Sequence, residues 1–359
     1  MSEGLDELLL WLCAVASPIG EERALCDAVQ ARLARVALAA PIRRYGDSIV
    51  VPLSRGSGGP RIALAGHLDT VRTENGPARL EGGRCHGAGA SDMKSGLALM
   101  IALAERLDLR AFGADLTLVF YAREEGPYAE NELGPVLEAD PELGQVELAV
   151  CLEPSDNKLH LGCMGSIHAT VTFEGRTAHS ARPWEGDNAV TRAADFLAEL
   201  RAMRPVESVV EGLVYRTSTT VTQARDGGRG RNVVPDRFVL NVNHRFAPDR
   251  SLEEAAAFVR SLVGERARVE LTDLSPAARP SATHPLVRAL VAAGVRAVEP
   301  KQAWTDVARF SARGIAAVNF GPGENAQAHQ KGESTSLALV REGYAIVDRW
   351  LASVARPRL

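Results

Sequence analysis

Residues 61–71, RIALAGHLDTV, join a short apolar run to two polar residues that bind metals in many proteins, His67 and Asp69. The apolar run is typical of a buried strand, and the polar residues follow where that strand would end. Further strand-like runs also precede segments that carry Glu or His, and they lie at 116–122, 146–152 and 315–320. In open α/β sheets, binding sites form beyond the carboxyl ends of the strands. The sequence therefore predicts one crevice that collects His and carboxylate side chains.

The chain is organised as one α/β domain interrupted by another. Helix and strand signals alternate in residues 1–164, and this pattern returns in residues 276–359. Between them, residues 165–275 show half-polar strands in the order β-α-β-β-α-β, which is typical of a ferredoxin-like sandwich. We therefore predict a catalytic domain with a mostly parallel sheet and an inserted α+β domain of residues 165–275. An apolar helix at 93–107 is expected to begin just after Asp92, a favourable N-cap residue.

Composition excludes several classes of protein. The chain has 359 residues, of which 46% are hydrophobic and 24% charged, so two folded domains are expected. A formal net charge of −4 argues against nucleic acid or an anionic membrane as the partner. No apolar run approaches the ~20 residues of a membrane span, and the amino-terminal segment is predicted to be an amphipathic helix rather than a signal peptide. Five scattered cysteines favour a cytoplasmic location.

The residue types in the predicted crevice indicate metal-dependent hydrolysis. Imidazole nitrogens and carboxylate oxygens form a zinc-type ligand set, with cobalt and manganese as alternatives. A carboxylate shared by two ions would give a two-metal site. The adjacent Glu124 and Glu125 can divide the roles of general base and ligand. Asp69, two residues past His67, can orient that imidazole through a hydrogen bond.

Six motifs then identify a family. They occur in the following order: GHLDTV (66–71), GAGASDMKSG (87–96), EEG (124–126), EP (153–154), HSARPWEGDNA (179–189) and AHQKGE (328–333). In this order they resemble the dinuclear-zinc family of aminoacylases, carboxypeptidases and desuccinylases. The resemblance covers nearly the whole chain and implies a zinc-peptidase-like catalytic domain. A lone His after a strand is usually a satisfied polar residue, but unpaired charges at four strand ends would be too costly without a metal.

The resemblance implies how the ligands are shared between two zinc ions. His67 and Glu153 would bind one ion, and Glu125 and His329 would bind the other. Asp92 would bridge the two ions.

The same resemblance implies three catalytic roles. Glu124 would be the general base, and Asp69 would orient a ligand imidazole. His179 would act across a homodimer, formed by the inserted domain, and stabilise the oxyanion in the partner's active site.

Two segments, 305–310 and 319–323, resemble the succinyl-diaminopimelate desuccinylase branch of the family. This resemblance implies hydrolysis of N-succinyl-LL-2,6-diaminopimelate to succinate and LL-2,6-diaminopimelate. Arginine suits such a small, carboxylate-rich N-acyl amino acid, because its guanidinium binds carboxylates in a bidentate manner. The residues predicted to bind substrate are Asn232, Arg245, Thr305, Arg309 and Gly323.

Alternative functions use the same residues. An acetylornithine deacetylase or a carboxypeptidase-type peptidase would keep the chemistry and change the substrate, and a catalytically silent metal-binding protein would keep only the ligands. The sequence also departs from the family pattern: Ala88, Arg123 and Gly332 stand where Arg, Asp and an acidic residue are usual. None of the three is a predicted ligand, so these departures bear on substrate choice rather than on metal binding.

Overall fold

The computed structural model describes residues 4–109, 112–228 and 230–355. The chain forms two compact units, in which strands and helices are numbered along the whole sequence. The first unit consists of Met1–Gly162, Pro280–Lys301 and Thr305–Leu359, and the second of Cys163–Arg279 and Gln302–Trp304. Within the described residues, every helix is too short or too polar to cross a membrane.

Two sheets form the framework of the first unit. The strands of its large sheet are β1 (Arg43–Tyr45), β2 (Ser48–Pro52), β3 (Arg61–His67), β6 (Asp115–Tyr121), β7 (Leu148–Cys151), β8 (Leu159–Leu161), β14 (Val298–Pro300) and β15 (Ala316–Asn319). They are arranged in the order β1-β2-β6-β3-β7-β15-β8-β14. A small antiparallel sheet has the order β16-β5-β4 and consists of β4 (Arg79–Glu81), β5 (Arg84–His86) and β16 (Ser334–Ser336).

The centre of the large sheet explains why polar residues converge. Strands β6, β3, β7 and β15 run parallel, and their apolar residues are buried. In register, His67 of β3 is opposite Tyr121 of β6, and Cys151 of β7 is opposite Asn319 of β15. The residues that follow these strands therefore leave the sheet at one edge, as in other parallel sheets.

Among the described residues, seven α-helices accompany these sheets: α1 (Leu5–Ala14), α2 (Arg23–Leu33), α3 (Lys94–Arg106), α4 (Leu133–Ala139), α8 (Pro285–Ala292), α9 (Val307–Ser311) and α10 (Leu337–Val354). Helix α3 is buried along nearly its whole length, from Lys94 to Ala104. The predicted N-cap of this helix is wrong, because Met93 occupies the cap position and no side chain caps the helix. The peptide bond between Asp92 and Met93 is cis, and the Asp92 carboxylate faces histidines instead.

The second unit is an antiparallel sheet with helices. Its strands are β9 (Gly165–Glu174), β10 (Val206–Val210), β11 (Leu213–Asp226), β12 (Arg237–Phe246) and β13 (Arg268–Ser275), and its helices are α5 (Ala189–Arg192), α6 (Ala194–Ala202) and α7 (Leu252–Val263). The strand order is β10-β11-β12-β9-β13. Apolar residues of β9, β12 and the three helices share one core. The edge strand β10 was not predicted from the sequence, because Val206 and Val209 are exposed and β10 has no apolar–polar alternation in its burial.

Candidate metal centre

The first candidate ligand, His67, is the last residue of β3 and is 1% exposed. Its Nδ1 lies 3.0 Å from the backbone carbonyl oxygen of Asp69. Its Nε2 lies 3.2 Å from Oδ1 of Asp92. A ring held at Nδ1 directs Nε2 at whatever occupies the crevice, which is the usual arrangement for a ligating histidine.

A buried carboxylate sets the position of the adjacent glutamates. Asp69 is fully buried and accepts backbone hydrogen bonds from Glu124 at 3.0 Å and from Glu125 at 2.8 Å. The preceding residue, Arg123, has a φ of 62°, which turns the chain after β6. The carboxylate of Glu22, 1% exposed, accepts a hydrogen bond from the Arg123 backbone N–H. The sequence analysis missed Glu22, because only the fold brings helix α2 to this turn.

The Asp92 carboxylate lies between two histidines. Its Oδ1 faces His67, and its Oδ2 lies 3.5 Å from Nε2 of His329. The same His329 nitrogen lies 2.9 Å from Oε2 of Glu125. Each oxygen of Asp92 therefore belongs to a different histidine, which is the arrangement that a bridging carboxylate needs.

Ligand atoms within 4.8 Å of one another form three groups: His67 with Asp92 and Glu153; Asp92 with Glu125 and His329; and His67 with Glu124 and Glu125. Asp92 belongs to the first two groups. Oε1 of Glu153 is buried without a hydrogen-bond partner among the described residues. A mixed imidazole and carboxylate set with an orphaned carboxylate oxygen fits a divalent cation of the zinc type.

The electrostatics of the crevice favour added positive charge. Burial, together with repulsion by neighbouring carboxylates, raises the pKa of Glu153 to about 8 and that of Glu124 well above its ordinary value. Hydrogen bonds that His329 donates to the carboxylates of Asp92 and Glu125 raise the pKa of His329 to about 10. Burial opposes ionisation of Asp92, but hydrogen bonds from both histidines hold its pKa below the ordinary value. Divalent cations offset such crowded negative charge.

Glu333 supports the segment that carries Asp92. It is 2% exposed, and its carboxylate accepts backbone hydrogen bonds of 2.8 Å from Gly89, Ser91 and Asp92. Glu333 follows His329 by four residues. One loop therefore supplies the candidate ligand His329 and also holds the loop that carries the candidate ligand Asp92. The AHQKGE motif contains this residue, but sequence spacing alone did not assign it a role.

Close backbone approach also shapes the site. A Cβ on Gly323 would lie 2.2 Å from the carbonyl oxygen of Ser91, next to Asp92. A Cβ on Gly321 would lie 2.4 Å from the carbonyl oxygen of Glu153. Glycine at these two positions lets the loop after β15 pack against both ligand segments. The predicted contact of Gly323 with substrate stays a prediction.

Two other predicted substrate-binding residues are buried in the first unit. Thr305 is 4% exposed and Arg309 is 7% exposed. The guanidinium of Arg309 donates to Oδ1 of Asp306 at 2.7 Å and to the backbone carbonyl of Tyr128, and its Cζ lies 3.8 Å from the centre of the Tyr128 ring. Contact of Arg309 with a substrate would require these interactions to rearrange, so its predicted role stays a prediction.

The remaining predicted residues lie in the second unit. His179 and Asn232 are exposed and adjacent, since Ser180 N donates to Asn232 O at 2.9 Å. Nδ1 of His179 accepts a hydrogen bond of 3.0 Å from the backbone N–H of Ala181, which places the ring proton on Nε2 in the neutral imidazole. Arg245, on β12, is partly buried and donates to Oδ1 of Asn243 at 3.0 Å.

Comparisons with known proteins agree with this architecture. The chain is 37% identical over 349 residues to a Mycobacterium tuberculosis protein provisionally named succinyl-diaminopimelate desuccinylase DapE, covering 96% of this chain and 97% of that protein. It is 34% identical over 354 residues to the succinyl-diaminopimelate desuccinylase of Corynebacterium glutamicum, covering 95% and 94% respectively. The solved structure of aminopeptidase PepT from Bacillus cereus superposes with a TM-score of 0.80 at 18% identity, covering 98% of this chain and all of that chain.

The fold class predicted from the sequence is confirmed by this superposition, by the large sheet of the first unit and by the antiparallel sheet of the second. The sequence model of peptidase family M20/M25/M40 matches residues 63–353, which include all the candidate ligands. This match and the near full-length relatives lead to one conclusion: the chain is a member of peptidase family M20/M25/M40.

Proposed function

We propose that the protein is a metal-dependent amide hydrolase that converts N-succinyl-LL-2,6-diaminopimelate and water to succinate and LL-2,6-diaminopimelate. The observation that carries the substrate is the 34% identity, over almost the whole chain, to a succinyl-diaminopimelate desuccinylase. The location of Asp92 between two groups of ligand atoms supports the mechanism.

Two zinc ions fit the candidate ligands. His67 and Glu153 would hold one ion, Glu125 and His329 the other, and Asp92 both. Bound zinc supplies Lewis acidity, which polarises an amide carbonyl and acidifies water. The same donor atoms also bind cobalt and manganese ions.

Glu124 would accept a proton from the attacking water and deliver it to the leaving amide nitrogen. Its carboxyl group is part of the crevice, and the environment raises its pKa, which suits a group that both takes and returns a proton near neutral pH. Asp69 binds the backbone N–H groups of both glutamates and so fixes the turn that presents them. Because Glu124 also belongs to one of the three ligand groups, its role needs a direct test.

The second unit would pair with its twin in a homodimer, and His179 would donate its Nε2–H to the oxyanion in the partner's active site. Exposure of His179 and its fixed tautomer support this role. The edge strand β10, with Val206 and Val209 exposed, is a surface that a second copy can cover. The five cysteines, all among the described residues, form no disulfide bond, which supports a reducing cytoplasm as the location.

A substrate panel tests the proposed function. Zinc-loaded protein is incubated with N-succinyl-LL-diaminopimelate, N-acetylornithine and a dipeptide, with a chelator control. Chelator-sensitive turnover that prefers the succinyl substrate supports the proposal. A preference for another substrate would keep the mechanism and change the activity, and no turnover with two ions bound would favour a silent metal-binding protein.

Substitution of Glu124 tests whether this residue is the general base or a metal ligand. Glu124→Gln should abolish turnover while the protein retains as much metal as wild type, measured by mass spectrometry of the eluted ions. An equal loss of metal would show that Glu124 is a ligand.

For His179, mixed dimers of His179→Ala and Glu124→Ala subunits should recover activity, whereas inactive mixed dimers would contradict action across the dimer.

A further inference from the structure

A row of polar side chains lies on one face of the large sheet, beside the candidate metal centre. His160 of β8 is opposite Asn319 of β15 in the antiparallel pairing and opposite Glu299 of β14 in the parallel pairing. Lys301 follows Glu299 by two residues, and its backbone N–H continues the pairing by donating to Leu161 O at 3.2 Å. Because opposite residues, and residues two apart along a strand, share a face, these four polar side chains lie on the same side of the sheet.

Several polar atoms of this row have no partner among the described residues. Exposure is 7% for His160, 8% for Lys301 and 0% for Asn319. Neither Nδ1 of His160 nor the amide atoms of Asn319 have a hydrogen-bond partner in the described part of the chain. The described residues likewise give Lys301 Nζ no hydrogen bond and no ion pair. Buried polar atoms without a partner are rare in native proteins, because each loses its hydration without compensation.

The neighbouring charged groups do not neutralise this lysine. Glu299 is paired with Lys158, whose Nζ lies 2.9 Å from Oε1. The other Glu299 oxygen, Oε2, lies 3.7 Å from Nε2 of His160. The Lys301 charge also reaches Glu153, where it lowers the pKa that burial raises. The row therefore adjoins the Glu153 end of the candidate metal centre, with its own positive charge unpaired.

The unpaired atoms include both donors and acceptors. Lys301 Nζ and Asn319 Nδ2 are donors. Asn319 Oδ1 is an acceptor, and so is Nδ1 of His160, because Nε2 faces the Glu299 carboxylate and keeps the ring proton. Burial and the Lys301 charge lower the pKa of His160 to about 4, so the ring is neutral at pH 7. Donors suit a carboxylate and acceptors suit an ammonium, and an α-amino acid presents both groups together.

We propose that His160, Lys301 and Asn319 form a subsite for the free α-amino-carboxylate group of the substrate, at the end remote from the amide that is hydrolysed. Lys301 binds the carboxylate, and the acceptors on His160 and Asn319 bind the ammonium. This inference rests on the proposed function and specifies which part of the substrate the enzyme selects. It predicts a preference for diaminopimelate over simple amino acids, since those have no second α-amino-carboxylate.

Calorimetry tests the subsite independently of turnover. Zinc-loaded wild type and the Lys301→Met variant are titrated with LL-2,6-diaminopimelate and with 1,5-diaminopentane, which keeps both amino groups and lacks both carboxylates. Wild type should bind diaminopimelate more tightly, and Lys301→Met should weaken that binding about 10- to 100-fold, the range expected for a charge-assisted hydrogen bond. Binding of 1,5-diaminopentane should not change. The control is Lys158→Met, a nearby lysine paired with Glu299, which should keep the preference of wild type.

Kinetics with matched substrates tests the subsite separately from the proposed hydrolytic activity. Lys301→Met should raise KM for N-succinyl-LL-diaminopimelate more than it lowers kcat, and it should leave Nα-succinyl-L-lysine unaffected. Equal losses on both substrates, or no change on either, would overturn the subsite while leaving the proposed function intact. If wild type hydrolyses no succinyl substrate, the proposed function fails, and the calorimetric comparison still decides the subsite.

Thermal unfolding separates a ligand-binding lysine from a structural one. Because the described residues give Lys301 Nζ no hydrogen bond and no ion pair, metal-free Lys301→Met should melt no lower than wild type. A fall in Tm would indicate that Lys301 stabilises the fold and would count against the subsite. Lys301→Gln, which keeps a polar end group, serves as a second variant for the binding comparison if Lys301→Met does not fold.

Discussion

Replacement of Glu333 by Gln should weaken metal binding without changing any ligand. The Glu333 carboxylate accepts three hydrogen bonds of 2.8 Å from the backbone of the loop that carries Asp92. Oε1 receives the N–H groups of Ser91 and Asp92, and Oε2 receives that of Gly89. A Gln side chain keeps one acceptor oxygen and turns an NH2 group toward the third donor. One charge-assisted hydrogen bond is lost, which costs about 1.5–3 kcal/mol.

This free-energy cost should be divided between a loss of folding stability and a loss of metal affinity. If about 2 kcal/mol of it falls on the orientation of Asp92, the affinity for zinc drops roughly 30-fold. Because Asp92 belongs to two ligand groups, the affinity for both ions should fall together. Calorimetric titration of metal-free protein with zinc measures both affinities, and thermal unfolding measures the loss of folding stability.

Glu342→Gln is the matched control for this substitution. Its carboxylate also accepts a hydrogen bond from a protein amide, that of Asn157 at 3.1 Å, but it contacts none of the candidate ligands. Zinc affinity of this control should equal that of wild type. Refutation of the reasoning would be a Glu333→Gln protein that binds both ions as tightly as wild type, or one that loses only a single ion.

Three further outcomes are expected. Asp69→Asn removes an acceptor for the backbone of Glu124 or Glu125 and should lower kcat about 10- to 100-fold, measured at saturating substrate and zinc. Gly323→Ala places a Cβ 2.2 Å from a backbone carbonyl and should destabilise the protein by about 1–3 kcal/mol, measured by urea unfolding. Burial lowers the pKa of His244 to about 4, below the ~6.5 of an unfolded chain, so the unfolded state binds more protons between these values. Stability should therefore fall by about 3 kcal/mol as the pH drops from ~6.5 to ~4, and His244→Phe should flatten this part of the urea-unfolding profile.

The strand ends were predictable because burial and chemistry change abruptly there. An apolar run followed by His67, or by Cys151 and then Glu153, signals a strand that ends at a site, and the parallel register then brings these ends together. The helix boundary at Asp92 was not predictable in the same way. Propensity favours Asp as an N-cap, but the contacts with His67 and His329 direct its carboxylate elsewhere.

Supporting residues were hidden from the sequence because their partners are backbone groups. Glu22 binds a backbone N–H about a hundred positions away, and Glu333 binds the loop around Asp92. A carboxylate that accepts backbone hydrogen bonds needs no particular partner residue, so no motif records it. The exposed edge strand β10 was missed for a related reason, since no buried face imposes an apolar pattern on it.

The sequence by itself determined the family and the fold class and predicted which side chains line the crevice, because apolar periodicity and ordered motifs are local properties of the chain. The tertiary structure decided which oxygen of Asp92 faces which histidine and which carboxylates hold the loops. It also left Nδ1 of His160 and the amide of Asn319 buried, next to Lys301, without a hydrogen-bond partner among the described residues. Such facts arise from contacts between residues distant in the chain, where burial and unpaired charge depend on the packing of the whole unit.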